Sequence, residues 1–158
     1  GENWNVLSIP QFPDIAVGDV YVNVFALSPN FDIDQEIYLG SRTQGVLQTT
    51  DGGISWRTTG EVAANKDISS IAVSPNYAKD KTAFAANIWG EVWRTQNGGD
   101  NWSRIGSDSI ITPITLRPYM WIAISPQFAT DRLVLVGTNN GVFRSTNGGD
   151  KWEPDHQP

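Results

Sequence analysis

An eight-residue phrase recurs three times in this chain: TTDGGISW at 49–56, TQNGGDNW at 95–102 and STNGGDKW at 145–152. Each copy reads Ser/Thr, any, Asp/Asn, Gly, Gly, any, any, Trp. A second phrase keeps step with it, SPNFDID from Ser28, SPNYAKD from Ser74 and SPQFATD from Ser125. Two phrases held in one register require one structural unit that is repeated. Periods of roughly 40–50 residues built from short apolar runs mark stacked architectures, solenoids and propellers.

The runs between the phrases read as short strands. Fifteen glycines and seven tryptophans in 158 residues suit many brief strands joined by tight turns. In each repeat a first strand (20–27, 68–73, 120–124) ends at a Ser-Pro pair, because proline cannot donate to a β-ladder. A loop carrying Asp34, Asp80 or Asp131 leads to a second strand (37–40, 82–86, 133–137). Gly45, Gly90 and Gly141 stand where a hairpin needs positive φ, and a third strand follows (46–48, 92–94, 142–144). The Asp/Asn-Gly-Gly turn then delivers a short fourth strand opening on Trp56, Trp102 or Trp152. Four antiparallel strands per unit make a propeller blade.

The turn chemistry needs an acceptor, two permissive residues and an anchor. Asp51 can accept backbone N–H groups, Gly53, Gly99 and Gly149 allow left-handed backbone, and Thr49, Thr95 or Ser145 supplies a local hydroxyl. Asn97 and Asn147 replace Asp51 in the other copies. An amide oxygen still accepts such bonds but cannot act as a general acid, so the phrase reads as a folding device.

These residues carry a family resemblance. The phrase resembles the Asp-box, and the repeat is similar to the BNR-type blades of sialidases, xyloglucanases, sortilin-type receptors and photosystem II assembly factors. The resemblance implies an all-β fold: a β-propeller sector of three four-stranded antiparallel blades with Asp-box turns, part of a larger or oligomeric ring. Blades are expected at 14–60, 61–106 and 107–158, with 1–13 as the last strand of a preceding blade, since Gly1-Glu2-Asn3-Trp4 matches the close of the box. A ring takes four to eight blades. The expected partners are therefore the remaining blades of a longer chain or a second copy of this one.

Catalytic material is sparse. His156 is the only histidine and cysteine is absent, so a Ser-His-Asp triad or a His-based metal site has nothing to build on. Asp32, Asp34 and Glu36 lack the spacing of a calcium loop. Only the Asp34 position repeats, beside Lys81 and Arg132 in the other blades, which points to turn capping or an ion pair. No metal or cofactor is expected. The segment Leu116-Arg117-Pro118-Tyr119 does not match the arginine-centred phrase of sialidases. A net charge of −6 opposes a nucleic-acid partner, and no apolar run approaches the ~18 residues of a membrane span.

Departures from the repeat point to a binding surface. Trp89 takes a hairpin tip that holds Gln44 and Asn140 elsewhere, Arg42 lies in the longer equivalent loop of the first blade, and the long loop 107–119 carries Arg117 and Tyr119. Aromatic and arginine side chains on rim loops are typical anchors for a protein or polysaccharide. Trp121, on a first strand, and Trp93, aligned with Leu47 and Phe143, are expected in the core. The expected function is a non-catalytic interaction or structural module that binds a protein partner or joins a larger assembly. The alternative is a glycoside hydrolase or carbohydrate-binding propeller fragment. The resemblance further implies a bacterial, extracytoplasmic setting.

Overall fold

The structure, a computed structural model, describes residues 21–60, 67–106 and 119–155. They form three four-stranded antiparallel sheets, each a simple meander. The first contains β1 (Val22–Leu27), β2 (Ile37–Ser41), β3 (Gly45–Thr49) and β4 (Arg57–Thr58), with the helical turn α1 (Phe31–Asp34) between β1 and β2. The second contains β5 (Ile68–Val73), α2 (Tyr77–Asp80), β6 (Ala83–Asn87), β7 (Val92–Thr95) and β8 (Ser103–Ile105). The third contains β9 (Trp121–Ile124), α3 (Phe128–Asp131), β10 (Val134–Thr138), β11 (Gly141–Ser145) and β12 (Glu153–Pro154). The strand expected over 1–13 lies outside the described residues.

Among the described residues, each expected strand meets its counterpart within a residue or two, and the differences have local causes. The fourth strands begin one residue after the tryptophan, because the turn extends that far: Ser55 N donates to Asp51 Oδ1 at 2.9 Å, and Trp56 Nε1 donates back to Gly53 O at 3.2 Å. The loops expected after Ser-Pro are single helical turns. In all three, the serine hydroxyl donates to the aspartate (Ser28 to Asp34, Ser74 to Asp80, Ser125 to Asp131) while accepting the N–H two residues on. The same aspartate's other oxygen accepts the N–H of Glu36, Thr82 or Leu133, starting the second strand. That clip explains why serine and aspartate recur together six residues apart.

Each helical turn ends on a residue in the left-handed region: Gln35, Lys81 and Arg132, with φ of 51°, 47° and 53°. Its carbonyl then accepts the N–H of the first box glycine, Gly52, Gly98 or Gly148. The two repeated phrases are thus hydrogen-bonded to each other, and this is the physical content of their shared register.

Apolar side chains between the sheets make two cores. Tyr38 and Val46 of the first sheet pack with Ile68, Ile71, Tyr77 and Trp102 of the second. Phe84, Ala86 and Val92 of the second pack with Phe128, Val136, Phe143 and Trp152 of the third. The box of one sheet therefore closes against the strands of the sheet before it. Trp102 meets Tyr38 edge to face at 6.0 Å. A Cβ on Gly99 would come within 3.1 Å of Tyr38 and of Gln48 Oε1. The first strands lie side by side, β5 against β1 and β9 against β5.

Candidate binding cleft

The box residues are bonded as turn chemistry requires. Thr49 Oγ1 donates to Asp51 Oδ1 at 2.6 Å and accepts Gly53 N at 2.9 Å. Thr95 does the same with Asn97 and Gly99, and Ser145 with Asn147 and Gly149. The aspartate or asparagine oxygen accepts the N–H four residues on: Ser55, Asn101 or Lys151. Hydrogen bonds from Ser55, by hydroxyl and backbone, and from Thr49 hold the Asp51 carboxyl well below the usual carboxylate range. The anchors differ in depth, with Trp56 half-buried and Trp102 and Trp152 buried.

Two of the acids that lack calcium-loop spacing, Asp34 and Glu36, have protein partners. Asp34 accepts the Ser28 hydroxyl and the Glu36 N–H, and Glu36 pairs with Lys81 Nζ at 3.0 Å and accepts Gln48 Nε2 at 3.1 Å. Glu36 stands within a buried network in which the Tyr38 and Tyr77 hydroxyls lie 2.6 Å apart. Burial pushes both phenols well above their ordinary range. Among the described residues, no group of three or more acidic or imidazole side chains is placed to hold a metal.

A cleft of about 610 Å³ opens where the three first strands begin. Its walls include Val22 and Asn23 at the head of β1, Asp67 and Ser69 at the head of β5, and Tyr119 just before β9. Arg42, from the hairpin between β2 and β3, and Ile88, after β6, also line it. Asp67 is held from two sides: Asn23 Nδ2 donates to Oδ1 at 2.6 Å, and Arg42 Nε lies 3.8 Å from Oδ2. Arg42 keeps 59% of its side chain in solvent. Tyr119 is 63% exposed, with its ring 6.3 Å from that of Trp121 at a tilt of 31°.

Of the residues nominated from sequence, Arg42 and Tyr119 thus share one cleft. Trp89, 41% exposed, follows Ile88 on a turn clamped by Asn87 Oδ1, which accepts Trp89 N and Glu91 N at 3.0 Å each. Trp89 is adjacent to the cleft lining in sequence and outside it in space. Arg117 and His156 lie outside the described residues. Trp121, expected in the core, is 61% exposed, because it stands on the face of β9 turned away from the second sheet. Trp93, also expected in the core, is half-buried.

Asn23, Asp67 and Ser69 were missed by sequence reasoning. Aligning the repeats by the first-strand ends would have found two of them, since Asn23, Ser69 and Met120 share one register position. The cleft contains one described carboxylate, already bonded to an amide and facing a guanidinium. It can offer a cation, polar acceptors and an aromatic face to an incoming chain.

No family model matches the sequence, and no curated protein matches it. Solved structures do. An ancestral GH74 enzyme is 27% identical, with a TM-score of 0.69, over 87% of this chain and 18% of its own. YCF48 bound to D1 peptide is 18% identical with a TM-score of 0.61, over 93% of this chain and 46% of its own. YCF48 from Cyanidioschyzon merolae is 23% identical with a TM-score of 0.61, over 86% of this chain and 37% of its own. The chain spans less than half the length of each.

Proposed function

We propose that this chain, three β-propeller blades whose turns resemble the Asp-box, is a non-catalytic interaction module that holds a segment of a partner protein in the cleft. One observation carries this reading: Arg42, Asp67, Asn23 and Tyr119, from separate sheets and loops, converge on one open cleft at the heads of the first strands. An extended peptide offers carbonyls and carboxylates to Arg42, amides to Asp67 and apolar side chains to Tyr119. The neighbour YCF48, solved with a D1 peptide, supports peptide capture by such blades. A glycosidase mechanism would ordinarily need two carboxylates flanking the substrate, and the described lining has only Asp67.

A second reading, polysaccharide binding, draws on the exposed Tyr119–Trp121 ring pair, since sugars pack against aromatic faces. We place the module in a bacterial, extracytoplasmic assembly on the strength of its resemblance. No helix among the described residues is long and apolar enough to cross a membrane.

The test is a peptide array and a polysaccharide panel probed with the chain and with Arg42→Glu and Tyr119→Ala. Peptide binding lost in both variants supports the proposal. Polysaccharide binding lost only with Tyr119→Ala supports the second reading. Hydrolysis of chromogenic glycosides would overturn the non-catalytic assignment.

A further inference from the structure

Three asparagines in this chain stand directly before a glycine: Asn97-Gly98, Asn140-Gly141 and Asn147-Gly148. Such a pair carries its own nucleophile, because glycine has no side chain to keep its backbone nitrogen away from the asparagine's side-chain carbonyl. All three asparagines are exposed. Exposure therefore does not distinguish them, and the bonding around each one does.

Asn97 and Asn147 belong to the boxes, where both reacting groups are held. Asn97 Oδ1 accepts the Thr95 hydroxyl at 2.9 Å and Asn101 N at 3.0 Å, while Gly98 N donates to Lys81 O at 3.1 Å. Asn147 repeats this, its Oδ1 accepting the Ser145 hydroxyl and Lys151 N at 2.9 Å each, while Gly148 N donates to Arg132 O at 2.9 Å. Attack would have to draw the amide off two donors and the glycine nitrogen off a carbonyl. The next glycine is packed as well, since a Cβ on Gly149 would come within 2.5 Å of Ile105. Such a turn reacts only after it opens.

Asn140 sits at the tip of the hairpin between β10 and β11. Its backbone N–H donates to Thr138 Oγ1 at 3.1 Å, but its side-chain amide has no hydrogen-bond partner among the described residues. Gly141 belongs to the last pair of the ladder, opposite Thr138, with φ of 117°, and a Cβ there would meet nothing within 4 Å. Fraying of that one terminal pair frees its nitrogen.

We infer that Asn140 is a site of spontaneous hydrolytic deamidation, and that the boxes shield Asn97 and Asn147 from the same reaction. Gly141 N loses its proton and bonds to Asn140 Cγ, the Cγ–Nδ2 bond breaks, and ammonia leaves carrying a proton. The cyclic imide then takes up one water, which opens it at either carbonyl to aspartate or isoaspartate. Nothing is oxidised or reduced, and water is the only co-reactant. Either product adds a negative charge to a chain already at −6. The charge lands on the hairpin equivalent to those that carry Arg42 and Trp89, and isoaspartate also lengthens the backbone within the turn. The cleft plays no part in this chemistry, so variants at Arg42 or Tyr119 leave it untouched.

The full chain is incubated in mildly alkaline buffer with and without urea, and each Asn-Gly pair is followed by peptide mapping with mass spectrometry. Isoaspartate is scored by methyl transfer from an isoaspartyl methyltransferase. In the folded chain Asn140 is expected to convert about tenfold or more faster than Asn97 or Asn147, and in urea the three rates should converge. Thr95→Ala, which removes one donor from Asn97, should speed conversion at Asn97 alone. Equal rates in the folded chain, or a box asparagine reacting ahead of Asn140, overturn the inference. An Asn140 that stays intact in the folded chain, while a free peptide of residues 136–145 deamidates in the same buffer, overturns it too. An unchanged Asn97 rate in T95A would refute the shielding.

Discussion

At the residue scale, the three boxes compare aspartate with asparagine in one turn. Asp51, Asn97 and Asn147 all accept the N–H four residues on, so the turn needs an oxygen and not a charge. Only Asp51 brings a proton equilibrium. Its carboxyl is held below its value in an unfolded chain, about 3.9, so it supports the fold above that pH and loses this support as pH falls through the folded-state value. Asp131 is depressed too, by the Leu133 N–H and the Ser125 hydroxyl, and stays in place as a background. Asp51→Asn should therefore melt below the wild type near neutrality, with the two melting curves converging in acid below about pH 4. Melting followed by near-UV circular dichroism from neutral pH into acid checks this, and a gap independent of pH would contradict it.

At the element scale, stability concentrates where a box closes on the preceding sheet. Gly90 and Gly99 make a matched pair, with φ of 85° and 87°. A Cβ at Gly90 would meet nothing within 4 Å, whereas one at Gly99 would press on Tyr38 and Gln48 at 3.1 Å. Gly90→Ala should cost about 1 kcal/mol, the backbone penalty alone. Gly99→Ala should cost roughly 1–3 kcal/mol more, since a packed interface must open to admit the methyl group. Urea unfolding of both variants measures the difference, and equal losses would show that the junction yields freely. The helical turns α1 to α3 also belong to this scale. Serine, proline and aspartate announced a capped connection, but its helical geometry follows from the clip and from the left-handed residue that ties it to the box.

For the whole molecule, sheets touch mainly their neighbours, so stability should be graded along the stack. The second sheet is covered on both faces by described neighbours, and the third on one. Native-state hydrogen exchange should show slower exchange for the paired amides of β6 and β7 than for those of β10 and β11. The reverse order would mean that the exposed face of the third sheet does not weaken it. This grading connects with function, because the cleft is assembled from the heads of β1, β5 and β9 and keeps its shape only while the sheets stay in register.

The sequence alone determined what short-range chemistry controls. Glycines recur where hairpins take positive φ, at Gly45, Gly90 and Gly141, and the box fixes a turn through bonds spanning at most four residues. Period-two alternation likewise told which side chains share a face of a strand. It could not tell which face another sheet covers, and so Trp121 was expected in a core it does not enter. Asp67 joins Asn23 and Arg42 only because β5 packs beside β1, a contact across some 44 residues that leaves no local mark in the sequence. The same holds for Arg94 and Asp150, an ordinary basic and an ordinary acidic residue until two sheets bring them to 2.8 Å. Turns are written in neighbouring residues, whereas the cleft and the sheet junctions arise from burial between distant segments, and only the tertiary structure decided those.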